Sequence, residues 1–332
     1  MAPLIGAVLI IMACGPSATP SVDRAAEAGA RTGPKTLVMG FRSDLSALVA
    51  YGRPRTTSTE PNEHWFIFHG NLTAFDINGN VVPQVAQKVP STEDGDWKVN
   101  PDGTMEVTWK IKPGAVWHDG APLTAQDYVF GYEVVMDRRL AVAGLGEVLN
   151  VSSVQALDVQ TLVVSWKTVS IWAGHNGVWG IPAIPRHLLE ETYRGDDTQA
   201  FENSPIWGSQ WVGIGPYRVT DVVVDVQLEA EAFDQYILGR PKIDKLVFRI
   251  IQDLKVLQTN VMAGAVDVVT PGSSFKPEHI LELPSEGGGG YEPQAPRAAP
   301  HPDEYLEHPH LGPEVAKRAG WHQRGFSSWS CF

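Results

Sequence analysis

The sequence has few of the features that disulfide-rich, nucleic-acid-binding or catalytic proteins need. It holds only two cysteines, Cys14 and Cys331, at opposite ends of 332 residues, which argues against a disulfide framework or a thiolate metal site. Acidic residues outnumber basic ones, 38 to 26, and no Lys/Arg-rich run occurs, so we expect no nucleic-acid partner. Histidines are scattered, and phosphate-loop, Gly-x-Ser-x-Gly and His-Glu-x-x-His motifs are absent from the sequence. We therefore expect no enzymatic activity, no metal site and no cofactor.

An apolar run, Leu4–Ala13, lies at the N-terminus. It is too short to span a bilayer, which takes about 20 residues, and it has the length of a signal-peptide hydrophobic region. Ile11 to Gly15 resembles a bacterial lipobox, so we expect Cys14 to be lipidated and to become the mature N-terminus. Pro16–Pro34 is rich in Ser, Thr, Ala, Gly and Pro and is expected to be a disordered tether. The alternative is a buried N-terminal strand with a free cysteine.

Strand and helix patterns alternate through the middle of the chain. Thr104–Ile111 has apolar residues at every second position, which predicts a strand buried on one face. Thr124 followed by Asp127 predicts a helix that begins with a capping box. Leu246–Ile251 is apolar and β-branched, which favours a buried strand. Further strands are predicted at Thr36–Gly40, Val151–Val154, Thr161–Trp166, Tyr217–Val224 and Gln227–Phe233, and helices from Pro185 and over Asp253–Met262.

Five segments form a pattern that extends over about Leu37 to Thr270. They are Thr104–Phe130, Ile184–Leu189, Gly213–Val219, Tyr236–Leu246 and Ala263–Val269. In order and spacing they resemble the extracellular solute-binding proteins of ABC transporters, family 5, the peptide/nickel-binding type. We interpret these motifs as scaffold: Trp117 fills the core of a small sheet, and Gly213 and Gly215 allow a backbone path that side chains would block.

The resemblance implies an α/β fold: a periplasmic-binding-protein-like (type II, cluster C) first lobe with its extra α+β subdomain, the second lobe being largely missing. The expected divisions are a lipoprotein signal peptide at 1–14, a disordered tether at 15–35, the first lobe at 36–60 plus 168–272, an inserted subdomain at 61–167, and an atypical disordered or out-of-frame tail at 273–332.

The resemblance also implies capture of an oligopeptide or similar small solute and its delivery to an ABC permease and ATPase. We expect an exported, lipid-anchored monomer at the outer face of the cytoplasmic membrane or in the periplasm. By resemblance, Phe41, Arg42 and Ser43 lie near the ligand cleft, and Trp65 and Phe66 are further candidate contacts; for each, the alternative is a surface loop or a core aromatic. We interpret the chain as a truncated copy of such a protein. Two other readings stay open: a non-transport lipoprotein binding or sensor module on the same scaffold, and a non-functional fragment.

Overall fold

The computed structural model describes residues 33–42, 65–140, 142, 146–176 and 180–269. From Lys35 onward these residues belong to one compact unit. The predictions made for the signal peptide with Cys14, for most of the tether, for Ser43 and for the 273–332 tail lie outside the described residues. The division of the chain into a lobe and an inserted subdomain stays a prediction.

The described part of the chain is mixed α/β. Its strands are β1 (Thr36–Phe41), β2 (Thr73–Phe75), β3 (Val81–Pro83), β4 (Trp97–Val99), β5 (Met105–Lys110), β6 (Val151–Ala156), β7 (Thr161–Trp166), β8 (Tyr217–Val223), β9 (Gln227–Ala232), β10 (Lys245–Ile250) and β11 (Val268–Val269). Its α-helices are α1 (Trp65–Phe68), α2 (Ala125–Met136), α3 (Arg186–Arg194), α4 (Thr198–Glu202) and α5 (Leu254–Met262).

A five-stranded sheet has the strand order β11-β1-β10-β9-β8. Strand β1 runs parallel to both β10 and β11, while β9 is antiparallel to β10 and to β8. Successive side chains of a strand point to opposite faces. On β1, Met39 and Phe41 therefore enter the main core of this sheet, whereas Val38 packs on the other face against a small cluster around Leu257 of α5.

A four-stranded antiparallel sheet has the order β4-β5-β7-β6. The predicted alternation of Thr104–Ile111 is confirmed, because Met105, Val107 and Trp109 on β5 are almost fully buried and the residues between them are not. Trp117 is also buried in the core of this sheet, as predicted. The two sheets thus have distinct cores, which we call the four-strand core and the five-strand core.

Helix α2 begins with the predicted capping box. The backbone N–H and the hydroxyl of Thr124 donate to Oδ2 of Asp127 at 2.8 and 2.9 Å. Oδ1 of the same carboxylate accepts the backbone N–H of Arg186 at 3.3 Å, so Asp127 joins the starts of α2 and α3. Burial of this carboxyl raises its pKa, although the hydrogen bonds oppose that shift.

Strand β10 is buried on one face only. Leu246 and Phe248 are buried, while the residues between and after them are partly exposed. The prediction of a buried strand therefore holds for two of its six side chains. The other face carries Lys245, which forms an ion pair with Glu229 on β9, and both side chains are partly exposed to solvent.

Candidate functional site

The three parallel strands end at a common edge of the five-stranded sheet, which we call the carboxyl edge. Phe41, Ile250 and Val269 are the last residues of β1, β10 and β11. In open α/β sheets, ligands bind in the crevice outside the carboxyl ends of the strands. The chain also leaves β1 at this edge and next joins the same sheet at β8. This edge is therefore the first candidate for a ligand site.

Backbone contacts fix the carboxyl edge. The N–H of Ile251 donates to the carbonyl of Phe41 at 2.7 Å, and Nε of Arg42 donates to the carbonyl of Gln252 at 3.1 Å. The N–H of Ile250 donates to the carbonyl of Val226 at 2.9 Å, which brings the tip of the β8–β9 hairpin to the same edge. The guanidinium group of Arg42 and the exposed side chain of Val226 thus both lie at the carboxyl edge.

The structure places the sequence-predicted contacts in two environments. Phe41 is buried, and its ring packs 5.4 Å from that of Phe248 in the five-strand core. Trp65 is also buried, whereas Phe66 next to it is 49% exposed. Arg42 is partly exposed at the carboxyl edge. The accessible members of the predicted set within the described residues are therefore Arg42 and Phe66.

The turn Trp117–Gly120 and the segment Gly213–Gly215 meet beside the end of α1, between the two cores. We call this buried contact the seam. The backbone at Gly213 and Gly215 passes so close to the end of α1 that side chains do not fit. A Cβ on Gly213 would lie 1.9 Å from the carbonyl oxygen of Phe68, and one on Gly215 would lie 2.5 Å from the backbone nitrogen of His69. The prediction that these glycines allow a path blocked to side chains is confirmed.

His118 binds this glycine segment through three hydrogen bonds. Its backbone N–H donates to the carbonyl of Gly213 at 2.9 Å, and the N–H of Gly213 donates back to Nδ1 of the ring at 3.2 Å. Nε2 lies 3.0 Å from the carbonyl oxygen of Gly215 and donates to it, because Nδ1 is already the acceptor. Burial lowers the pKa of His118 to about 4, so the ring is neutral at pH 7.

A second buried histidine, His69, lies within a cage of three indoles. Its ring centroid is 4.6 Å from that of Trp65, 5.4 Å from Trp211 and 6.0 Å from Trp117. Neither ring nitrogen makes a well-formed hydrogen bond, although the backbone of Ala183 approaches the ring. Burial, aided by the nearby His118, lowers the pKa of His69 to about 3.

The turn at Trp117–Gly120 also contacts α3. Nε2 of His187 lies 2.7 Å from Oδ2 of Asp119, and both side chains are about one-third exposed. The motif Trp117–Gly120 therefore touches the glycine segment on one side and α3 on the other.

Sequence reasoning missed the roles of His69, His118 and His187, because each histidine taken alone is more often structural than functional. A usable signal is that His118 and Gly213 belong to two separate motifs of one family pattern. Among the residues that the structure describes, no cluster of three His, Cys, Asp or Glu side chains could hold a metal ion. Within the same residues, no helix has the length and apolar character that crossing a membrane requires.

Residues 80–292 match the family model of the bacterial extracellular solute-binding proteins, family 5, middle region. A protein of Brucella ovis named as an ABC transporter peptide-binding protein is 26% identical over 196 residues, which are 56% of this chain and 36% of the relative.

Solved structures show the same fold. The oligopeptide-binding protein of Thermus thermophilus, complexed with a pentapeptide, superimposes with a TM-score of 0.62 at 20% identity. NikZ of Campylobacter jejuni, in complex with Ni(L-His), does so with a TM-score of 0.57 at 19% identity. The superpositions cover 74% and 70% of this chain, but only 47% and 43% of those chains. The chain thus spans about a third to a half of the length of the proteins it matches.

Proposed function

Because this chain belongs to family 5 of the bacterial extracellular solute-binding proteins, we propose that it serves an ABC import system as a solute-capturing protein. The solute is an oligopeptide or a similar small molecule, held in a cleft and delivered to a membrane permease. The partner ATPase supplies the energy, so the binding protein needs no catalytic residue. The observation that carries this proposal is the family match over residues 80–292.

The carboxyl edge is the proposed wall of the cleft. It combines one cation, Arg42, with the exposed apolar tip of the β8–β9 hairpin at Val224 and Val226. A peptide offers carboxylates and apolar side chains, and both kinds of group find complements here. Phe41, which is buried with its ring against Phe248, would support the wall from behind. Contacts of Ser43, Trp65 and Phe66 with the solute stay predictions.

The test is calorimetric titration of the full chain with a mixed pool of short peptides, and separately with nickel–histidine. Because the chain covers less than half of the relatives it matches, we expect at most weak saturable heat with the peptides. Arg42→Ala should weaken binding at least about tenfold, since a hydrogen bond to a charged group contributes roughly 1.5–3 kcal/mol.

Lys98→Ala is the matched control, because Lys98 is an exposed cation on β4 in the other sheet. It should leave the affinity unchanged. Absence of saturable heat with every solute class would refute the binding function. An equal loss in both variants would instead refute the placement of the site at the carboxyl edge.

A further inference from the structure

The turn at Trp117–Gly120 carries two histidine contacts, and the one made by His118 depends on the protonation state of its ring. On one side, Nδ1 of His118 accepts the N–H of Gly213, which requires a neutral ring. Protonation would place an N–H of the ring against the N–H of Gly213, and two donors cannot bond to each other. On the other side, Oδ2 of Asp119 lies 2.7 Å from Nε2 of His187, a contact that does not involve the ring of His118.

We propose that this turn is a proton-driven clamp, which holds the glycine segment 213–215 at neutral pH and releases it on acidification while keeping its contact with α3. The clamp lies where it can matter. Trp117 is part of the four-strand core, and the glycine segment leads directly into β8 of the five-stranded sheet. Release would therefore loosen the connection between the two cores without disrupting either sheet.

The charged groups around His118 oppose one another. Arg218 lies on β8, with Nη1 3.5 Å from the carbonyl oxygen of His118, and its cation disfavours a second positive charge. Arg218 is itself paired with Glu231 of β9. Asp119 favours the protonated ring, and His69 at the end of α1 adds a group that must also stay neutral. From the loop after β9, Phe233 presents only an aromatic ring, at 5.0 Å.

Burial outweighs these charges, and the sign of the pH effect follows from it. The pKa of His118 is about 4 in the closed seam and 6.5 for a solvated histidine, so the released form binds the proton more tightly. The closed seam therefore keeps its full stability above pH 6.5 and loses it as the pH falls toward 4. Between pH 7.5 and pH 5, the opening equilibrium constant should rise roughly 25-fold.

Amide hydrogen exchange of the full chain at pH 7.5, 6.5, 5.75 and 5, corrected for the intrinsic pH dependence of exchange, measures this opening. The amides of Gly213 and His118, which carry the hydrogen bonds of the clamp, should lose protection about 25-fold, while those of β5 stay protected. His118→Gln, made together with His69→Phe, leaves no titrating histidine in the seam and should give a flat profile. A His69→Phe background removes the second buried histidine, and His175→Gln, outside the seam, should keep the wild-type response.

The proposal is overturned if His118→Gln retains the pH response of the wild type, or if β5 loses protection in parallel with Gly213. Should His118→Gln fail to fold, nitrogen-15 spectra of the wild-type imidazoles decide instead. We expect Nδ1 of His118 to be unprotonated at pH 7.5, and the Gly213 amide to shift as that nitrogen gains a proton. A proton on Nδ1 at neutral pH would contradict the clamp.

Discussion

At the scale of single residues, the seam between the two cores depends on the absence of side chains at 213 and 215. The carbonyl of Phe68 occupies the space where a Cβ of Gly213 would lie. Backbone atoms cannot move aside as the end of a flexible side chain can. A methyl group here must therefore displace α1 or the segment that enters β8.

Gly213→Ala should lower the free energy of unfolding by about 3 kcal/mol, because overpacking a tight site typically costs about 1–3 kcal/mol. Urea unfolding followed by tryptophan fluorescence measures this, since Trp211 and Trp65 lie beside the seam. Gly33→Ala is the control, because an added methyl there meets no atom within 4 Å and should change stability by less than about 0.5 kcal/mol. Equal effects of the two substitutions would show that the close approach at Gly213 does not exist in solution.

At the scale of secondary-structure elements, α2 depends on its first turn. There the backbone N–H and the hydroxyl of Thr124 donate to the carboxylate of Asp127, which also accepts the backbone N–H of Arg186 at the start of α3. The cap therefore starts α2 and also fixes the beginning of α3 relative to it.

Thr124→Ala should lower the free energy of unfolding by about 1 kcal/mol, the usual cost of losing an N-cap oxygen. Thr124→Ser keeps that oxygen and should stay within about 0.5 kcal/mol of the wild type. Chemical denaturation at pH 7 distinguishes the two variants. If the serine variant is as unstable as the alanine variant, the methyl group of Thr124 matters and the hydrogen bonds do not.

The elements also show which features are predictable from sequence. The alternation on β5 and the Thr124–Asp127 box are visible because they involve residues two or three positions apart. One-sided burial of β10 is not visible, because it depends on what packs over each face of the finished sheet. The contact of Arg42 with Gln252 joins residues 210 positions apart, and that of His118 with Gly213 joins residues 95 apart. No local pattern encodes such distances.

At the scale of the whole molecule, the expected lipid anchoring at the membrane depends on Cys14, which lies outside the described residues. Cys14→Ala, expressed in a bacterial host, should move the protein from the membrane fraction to the soluble fraction and abolish labelling by an alkyne fatty acid. Cys331→Ala is the matched control, since it removes the only other cysteine. Unchanged membrane fractionation and labelling of Cys14→Ala would contradict the lipid anchor.

The parallel pairing of β1 with β10 also determines when the fold can form. The partner of Leu37 is Leu246, and the contact of Lys35 with Asp244 at the same end joins residues 209 positions apart. At roughly 5–20 residues per second of synthesis, β1 emerges some 10–40 seconds before β10 exists. Throughout that interval both edges of an apolar strand lack a partner. Until β10 has been synthesised, β1 can therefore pair with strands of other chains, which makes it the segment of the sheet most exposed to aggregation during synthesis.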